Sequence, residues 1–481
     1  MTDPTDSRRV GRRTLLNTGA LGGANLWRIL TGFALQLLIA RRLGVDSLGL
    51  YATALAVLNV SQVAAELGLP ALLTRDLAQH PAFRRSYFRF SLLAQLGMGI
   101  LVWAGLAVLA YGLALAGDLR QSLLWIGASL PLYAMTSACR TLFQAGERLE
   151  LVVAVEGLVD ALILALSVGA LLAGGDVVQL VAVLVITQGV SAAASLWLLG
   201  RSRLLAPPQV KADLAVGRLL RAAAPFYGLS LGDVLLQRLD ILLLSVVAGA
   251  SVTGIYTAAY NVVRILTKLV QSYWRALYPT LSRLRPTAQD AYHSLGALAL
   301  RYALVAALLC AALGSAMAGQ VVHLIYGDGY EASAQVLAVL IWITPLFAGE
   351  TYAITLWMVE RRPRTSLLLM AGHLAAIAVL TPLLALRYDA GGAAWAMVIA
   401  NGLAAASIPL WARNAPLPLV MPSFWRLAMA TVAGYGVSSW LPWPVRLLAG
   451  FGAYLAVAWA LGLWTNADWR RVRSALSREP D

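Results

Sequence analysis

Residues 44–54 read GVDSLGLYATA and residues 249–259 read GASVTGIYTAA. Both follow G-x-x-x-x-G-x-Y-x-x-A, and one offset separates Gly44 from Gly249, Gly49 from Gly254 and Tyr51 from Tyr256. Glycine in a turn and a tyrosine near a helix end suit many helix connections, so the phrase informs only if its topological position also repeats. Composition supplies that position. Of 481 residues 60% are hydrophobic and 12% charged, with a mean hydropathy of +0.73, far from the balance of soluble domains. Apolar runs of about 20 residues, enough to cross a bilayer, recur along the whole chain. They lack the two-residue alternation of a barrel strand, so the chain reads as an all-α integral membrane protein.

A window of about 20 residues predicts about fourteen transmembrane helices, near 17–40, 49–71, 89–116, 121–143, 150–173, 177–200, 222–247, 252–278, 296–319, 333–357, 365–386, 391–412, 424–441 and 444–465. The second ends weakly at AELGLPALLTRD, and the last two are short and interrupted by LPWPV, which leaves twelve or thirteen spans open. Lys and Arg concentrate in alternate loops, including RRSYFR, RSRLLAPPQVK and ERRPR, which places both termini on the cytoplasmic side. The expected organisation is a tail (1–16), a six-helix lobe (17–200), a basic linker around Pro207 and Pro208 (201–221), a second six-helix lobe (222–412), two extra helices (413–465) and a tail (466–481). The repeated phrase then follows span one and span seven. Six intervening spans preserve orientation, so the lobes are expected to be parallel repeats about an axis along the membrane normal.

A net charge of +14 would suggest nucleic acid in a soluble protein, but its loop placement makes it a topology signal here. The start MTDPTDSRRVGRR looks like a twin-arginine export signal, yet a long apolar run carrying Arg28 and no clear cleavage site follow, so it reads as a retained cytoplasmic tail. Cys139 and Cys310 lie inside apolar runs without C-x-x-C spacing and read as small buried side chains. His80, His293, His323 and His373 are scattered, and no metal site or catalytic motif is expected.

Charges within the spans need an explanation, because a Lys, Arg or Asp at a helix centre costs roughly 2.5–3.5 kcal/mol to insert. In span eight Thr257, Asn261, Arg264, Lys268, Gln271 and Arg275 recur at alternating spacings of four and three and share one helix face. Span seven answers with Ser230, Asp233, Gln237 and Asp240, beside Arg238. Two readings stay open. The acids pair with Arg264, Lys268 or Arg238 to join two helices, or the basic stripe lines a wet cavity for an anionic substrate. The first half holds weaker counterparts: Asn25 and Arg28 in span one, Asn59, Gln62 and Glu66 in span two, Glu156 and Asp160 in span five. Glu66, Glu156, Asp160, Asp233, Asp240 and Glu350 are candidates for gating, or for coupling to a proton or sodium gradient. His373 reads as a helix contact, and Trp27, Trp103, Trp274, Trp342, Trp357, Trp395 and Trp440 as an interfacial belt.

IARRLGVDSLGLYATALAV through AELGLPALLTRDLA, then QRLDILLLSVVAGASVTGIYTAAYNV, ALYPTLSRL and LIYGDGYEASAQVLAVLIW resemble, in that order, the polysaccharide transport proteins of the multidrug/oligosaccharidyl-lipid/polysaccharide exporter superfamily. The resemblance covers nearly the whole chain. It implies two six-helix lobes plus two C-terminal helices, and a non-enzymatic flippase for lipid-linked oligosaccharide in the bacterial inner membrane. It also implies cationic cavity residues for a polyprenyl diphosphate, with Arg28, Arg264 and Lys268 nearest, then Arg238 and Arg275, and with Asn261 and Gln271 on the same stripe. Membrane lipids, and beyond them a polysaccharide polymerase and chain-length machinery, are the partners the resemblance suggests; no bound cofactor is expected.

Three rivals remain. A multidrug exporter of the same superfamily would favour an acidic or aromatic cavity, whereas span eight is basic. A membrane-embedded glycosyltransferase or ligase would show a sizeable outer loop or a D-x-D motif, and the sequence has neither. A scaffold would use the charged stripes only to hold helices together.

Overall fold

The glycine that opens each repeated phrase is where a long helix bends. The computed structural model describes residues 4–112, 117–202, 204–205, 216–412, 424–442 and 445–463. Helix α1 (Pro4–Glu66) changes direction at Gly44 (φ 84°, ψ −173°), and α7 (Val216–Thr287) does so at Gly249 (φ 79°, ψ −176°). That region of backbone space is essentially closed to residues with a Cβ. Between them run α2 (Leu69–Gln79), α3 (Arg84–Gly112), α4 (Gly117–Ala145), α5 (Leu149–Leu172) and α6 (Val177–Ser202). After them come α8 (Gln289–Ala316), α9 (Ala318–Tyr326), α10 (Glu331–Leu340), α11 (Ile343–Val359), α12 (Pro363–Ala412), α13 (Phe424–Trp440) and α14 (Val445–Ala460).

Nine helices among the described residues are long and apolar enough to cross a membrane. Three of the nine bend: α1, α7, and α12 at Tyr388 and Asp389. Counting each bent helix as two crossings gives twelve, and α13 and α14 bring the segments to the expected fourteen. At 1.5 Å per residue those last two are about 25 Å long, a few ångströms short of the hydrocarbon thickness. Several expected spans differ in detail. The second stops at Glu66, where Leu67 (φ 55°) and Gly68 (φ 69°) turn left-handed before α2. The tenth is split between α10 and α11, because Pro345 lacks the N–H that would bond the Ile341 carbonyl; the turn tightens instead through Thr344 N–H to Ile341 O at 3.1 Å. The linker prolines Pro207 and Pro208 and the tail 466–481 lie outside the described residues, as do the side chains of the N-terminal arginines.

The chain forms two compact units, Met1–Gly254 and Ile255–Asp481. In the first, the leucines of α2 (Leu69, Leu72, Leu73, Leu77) recur at helical spacing and bury against Cys139, Leu142 and Phe143 of α4 and Ala223 of α7. In this unit the two repeated phrases also touch. A Cβ on Gly49 would stand 2.7 Å from the Gly254 nitrogen and nearer still to the Ala250 carbonyl oxygen; one on Gly254 would stand 2.8 Å from the Val45 carbonyl carbon and nearer still to its oxygen. Val45 and Ala250 occupy the same place in the phrase, so the contact is reciprocal and has a local two-fold. Tyr51 and Tyr256, each two residues past the second glycine of its phrase, are both buried.

In the second unit Trp274, Tyr292, Tyr352 and Leu356 form one core, and α13 and α14 pack on α8, where the Tyr454 hydroxyl donates to Val305 O at 2.8 Å. Trp27, Trp103, Trp395 and Trp440 are exposed, as lipid-facing belt residues would be, whereas Trp274 and Trp357 are buried in the packed core and leave that belt.

Candidate functional site

In the first unit the expected charges converge on one network. Arg28, on α1 before its bend, reaches α5 twice: Nη2 donates to Glu156 Oε2 at 2.6 Å and Nε to Asp160 Oδ2 at 3.3 Å. Glu156 lies 3.8 Å from Arg140 of α4, and Arg140 donates to Glu66 Oε1, at the far end of α1, at 2.8 Å. The Tyr133 and Ser137 hydroxyls donate to the same Glu66 oxygen at 2.6 and 3.1 Å. The spacing is helical: Tyr133, Ser137 and Arg140 line one face of α4, and Glu156 and Asp160 lie one turn apart on α5. Two guanidinium groups thus serve three carboxylates, leaving the network formally acidic. Arg28, read as a substrate-binding cation, is held here by two acids. Arg140 and Tyr133 were missing from the expected site, although an arginine inside the fourth apolar run was the signal that could have found them.

Beside Arg28 and Asp160 opens a cavity of about 140 Å³, lined also by Thr31, Gln36, Tyr51, Leu55 and Leu184. At roughly 30 Å³ per water it has room for a few solvent molecules, far less than a glycan needs. A larger hollow of about 630 Å³ borders α9 and Leu447 and is lined by none of the expected site residues.

The basic stripe lies on α7 beyond its bend and grades from buried to exposed. Thr257 and Asn261 are buried, Arg264, Lys268 and Gln271 half-buried, and Arg275 exposed. Lys268 Nζ donates to Gln271 Oε1 at 3.2 Å, one turn along the helix. On the arm before the bend, Gln237 donates to Asp233 Oδ2 at 2.9 Å, Arg238 is half-buried and Asp240 is fully buried. Asp233, Arg238 and Asp240 belong to the first compact unit, and the stripe from Thr257 to Arg275 to the second.

Two further polar groupings occupy the second unit. Glu350 of α11 and His373 of α12 are both buried and meet at 3.0 Å, Oε1 to Nδ1, so His373 is a helix contact as read, with a carboxylate for its partner. Outside the spans, Arg285 binds Glu360 through both ends of its fork, at 2.6 and 2.9 Å, and Tyr292 donates to Glu360 Oε1 at 3.2 Å. The Arg285 hydrogen bonds hold the Glu360 carboxyl below its usual range, and Glu360 in turn raises Arg285. No group of three or more His, Cys, Asp or Glu side chains suited to a metal occurs among the described residues.

The sequence profile of a family described as polysaccharide biosynthesis protein matches residues 15–285. No curated protein matches significantly. Among solved structures, the lipid II flippase MurJ in an inward closed conformation is 11% identical at a TM-score of 0.71, covering 91% of this chain and 97% of its own. An inward-facing multidrug resistance MATE family transporter of the MOP superfamily is 14% identical at 0.63, covering 80% and 94%. The Vibrio cholerae MATE transporter VcmN in the bent form is 17% identical at 0.53, covering 84% and 97%. At these identities the likenesses establish a shared fold.

Proposed function

Because this chain belongs to the polysaccharide biosynthesis protein family, we propose that it is a flippase, carrying polyprenyl-diphosphate-linked oligosaccharide across the bacterial inner membrane by alternating access for surface polysaccharide synthesis. The observation that carries this reading is the α7 stripe, Asn261, Arg264, Lys268, Gln271 and Arg275, on one face of an apolar membrane helix. A diphosphate-linked glycan has a charged, hydrated head and an apolar tail. The tail can stay in lipid while the head needs cations and amides along its path, and guanidinium and ammonium groups supply charge-assisted hydrogen bonds to phosphate oxygens. Amides such as Asn261 and Gln271 would receive sugar hydroxyls. With both termini cytoplasmic, loading occurs from the cytoplasmic side and release outside. No G-x-x-x-x-G-K-[ST] loop is present in the sequence, so the drive comes from an ion gradient or from consumption of the product by a downstream polymerase.

A second reading, a multidrug exporter, draws support from the acidic excess of the Arg28–Glu156–Arg140–Glu66–Asp160 network, which would suit a cationic cargo. The test is the leaflet distribution of lipid-linked oligosaccharide in cells with and without the gene, with drug susceptibility measured in parallel. Inner-leaflet accumulation on deletion, cured by wild type but not by equally abundant Arg264→Ala or Lys268→Ala, supports the flippase. Unchanged glycolipid with altered susceptibility selects the exporter.

A further inference from the structure

We propose that Glu350 and His373 form a proton-binding site through which the second compact unit is driven by the proton gradient; this rests on the transporter reading above. The pair is enclosed. Glu350 is 3% and His373 6% exposed, their ring nitrogen and carboxylate oxygen are 3.0 Å apart, and the ion pair recorded for each among the described residues is with the other. The outer atoms of both groups, Glu350 Oε2 and His373 Nε2, are buried without a hydrogen-bond partner. So is the hydroxyl of Thr381, a little over two turns further along α12. Buried polar atoms are nearly always paired, so a run of unpaired ones in a membrane interior marks a place where water or an ion is handled.

The chemistry favours one shared proton. With a single proton the pair is neutral overall, as carboxyl and imidazole or as carboxylate and imidazolium. Losing it strands a bare carboxylate, and gaining a second strands an imidazolium, each in a site with almost no solvent. Toward the Trp357 end of α11 the pair is sealed by an apolar layer of Ala353, Trp357, Leu369, Ala404 and Ile408. The helices packed against α11 and α12 carry other ionisable side chains: on α7, whose Trp274 meets Tyr352 of α11, Tyr260, Arg264, Lys268, Tyr273 and Arg275. On α8 these are Asp290, Tyr292, His293, Arg301, Tyr302 and Cys310, and the face of α8 that meets Tyr352 and Leu356 presents Tyr292, Ala299 and Leu300; on α10 Glu331 is exposed. On α11 and α12 themselves, Tyr352 packs on Trp274, and Arg364, Arg387, Tyr388 and Asp389 sit at the helix ends or the bend. A proton held this way exchanges only when packing loosens and water enters, which gives two conformations different proton affinities, as coupling requires.

The test uses the full chain in proteoliposomes, with a polyprenyl-diphosphate-linked disaccharide as probe. Wild-type transport should accelerate about tenfold under an imposed proton gradient. Glu350→Gln and His373→Gln should keep transport without a gradient and lose the acceleration. Infrared difference spectra between acidic and neutral pH should show a carboxyl band in wild type that disappears in Glu350→Gln and shifts in His373→Gln. The proposal is overturned if Glu350→Gln still responds to the gradient, if the carboxyl band persists in it, or if sodium rather than protons drives wild type. Failure of wild type to move the probe under any gradient would instead sink the flippase reading, with the infrared result still deciding the proton site.

Discussion

The reciprocal glycine contact makes a quantitative demand. Alanine at position 49 would put a methyl carbon 2.7 Å from the Gly254 nitrogen and closer still to the Ala250 oxygen. Carbon needs about 3.5–4.0 Å from a non-bonded neighbour, so the two turns must part by roughly 1 Å. Overpacking of this kind typically costs 1–3 kcal/mol, and about 2 kcal/mol is expected for Gly49→Ala and again for Gly254→Ala, whose methyl meets Val45 in the same way. Both methyls open one gap. The double variant should therefore lose about 2–3 kcal/mol rather than the sum, a coupling that a double-mutant cycle reads directly. Tryptophan fluorescence during unfolding in mixed detergent and dodecyl sulfate micelles would supply the values. The same 2 kcal/mol also acts between conformers: a state in which the turns touch would lose about 30-fold in population against one in which they part. Cysteine accessibility at Ser47 and Ser251 would follow that shift. A Gly49→Ala protein within 0.5 kcal/mol of wild type, or singles that add in full, would refute the close approach.

Gly44→Ala separates packing from backbone strain. No atom lies within 4 Å of its added Cβ, yet φ is 84° and ψ −173°, so a loss of about 1–3 kcal/mol in the same assay is expected from conformation alone. Asp389→Gly should do the reverse: Asp389 sits at φ 50° and ψ −134°, and its replacement should stabilise by about 1 kcal/mol, visible as a higher melting midpoint. Arg140→Ala leaves Glu66 and Glu156 short of a cation. A loss of about 2 kcal/mol is expected, below the fully buried range because Arg140 is 30% exposed, with partial recovery in Arg140→Ala/Glu66→Gln. For Glu360, whose folded carboxyl lies below its ordinary value of 4.5, the Arg285 interaction stabilises above that value and is lost as pH falls through the folded one. A melting profile from about pH 7 down to pH 3 should show an acid limb that is shallower in Glu360→Gln, a variant already less stable at neutral pH.

Most of the helical architecture was legible because long apolar runs and alternating basic loops are strong, local signals. Gly44 and Gly249 were legible as turns, but not as bends joining two crossings into one continuous helix, since that depends on how few residues the backbone needs to reverse. Likewise the break between α10 and α11 was hidden in an unbroken apolar run and turns on Pro345 alone. Within the site, helical spacing found the stripe on α7 and the pair Glu156 and Asp160. It found neither the joining of that pair to Arg28 nor the place of Arg140, because contacts between helices far apart in sequence leave no periodicity. His373 and Glu350 were each noticed singly for the same reason, and their meeting is a fact of packing.

The two phrases share a backbone bend but not the charges around it. On α1 the arm before the bend carries Arg28 and the arm after it ends in Glu66; on α7 the arm before carries Asp233, Arg238 and Asp240, and the arm after carries Arg264, Lys268 and Arg275. This difference in charge is laid over a shared bend. Its energetic meaning follows from the cost of isolated charge in a membrane. Arg28 is compensated within its own unit by Glu156 and Asp160. A guanidinium that already serves two carboxylates must break those bonds before it can grip a phosphate. Any anion that reaches Arg28 must therefore displace Glu156 and Asp160, so binding there and loosening of α1 from α5 are one event.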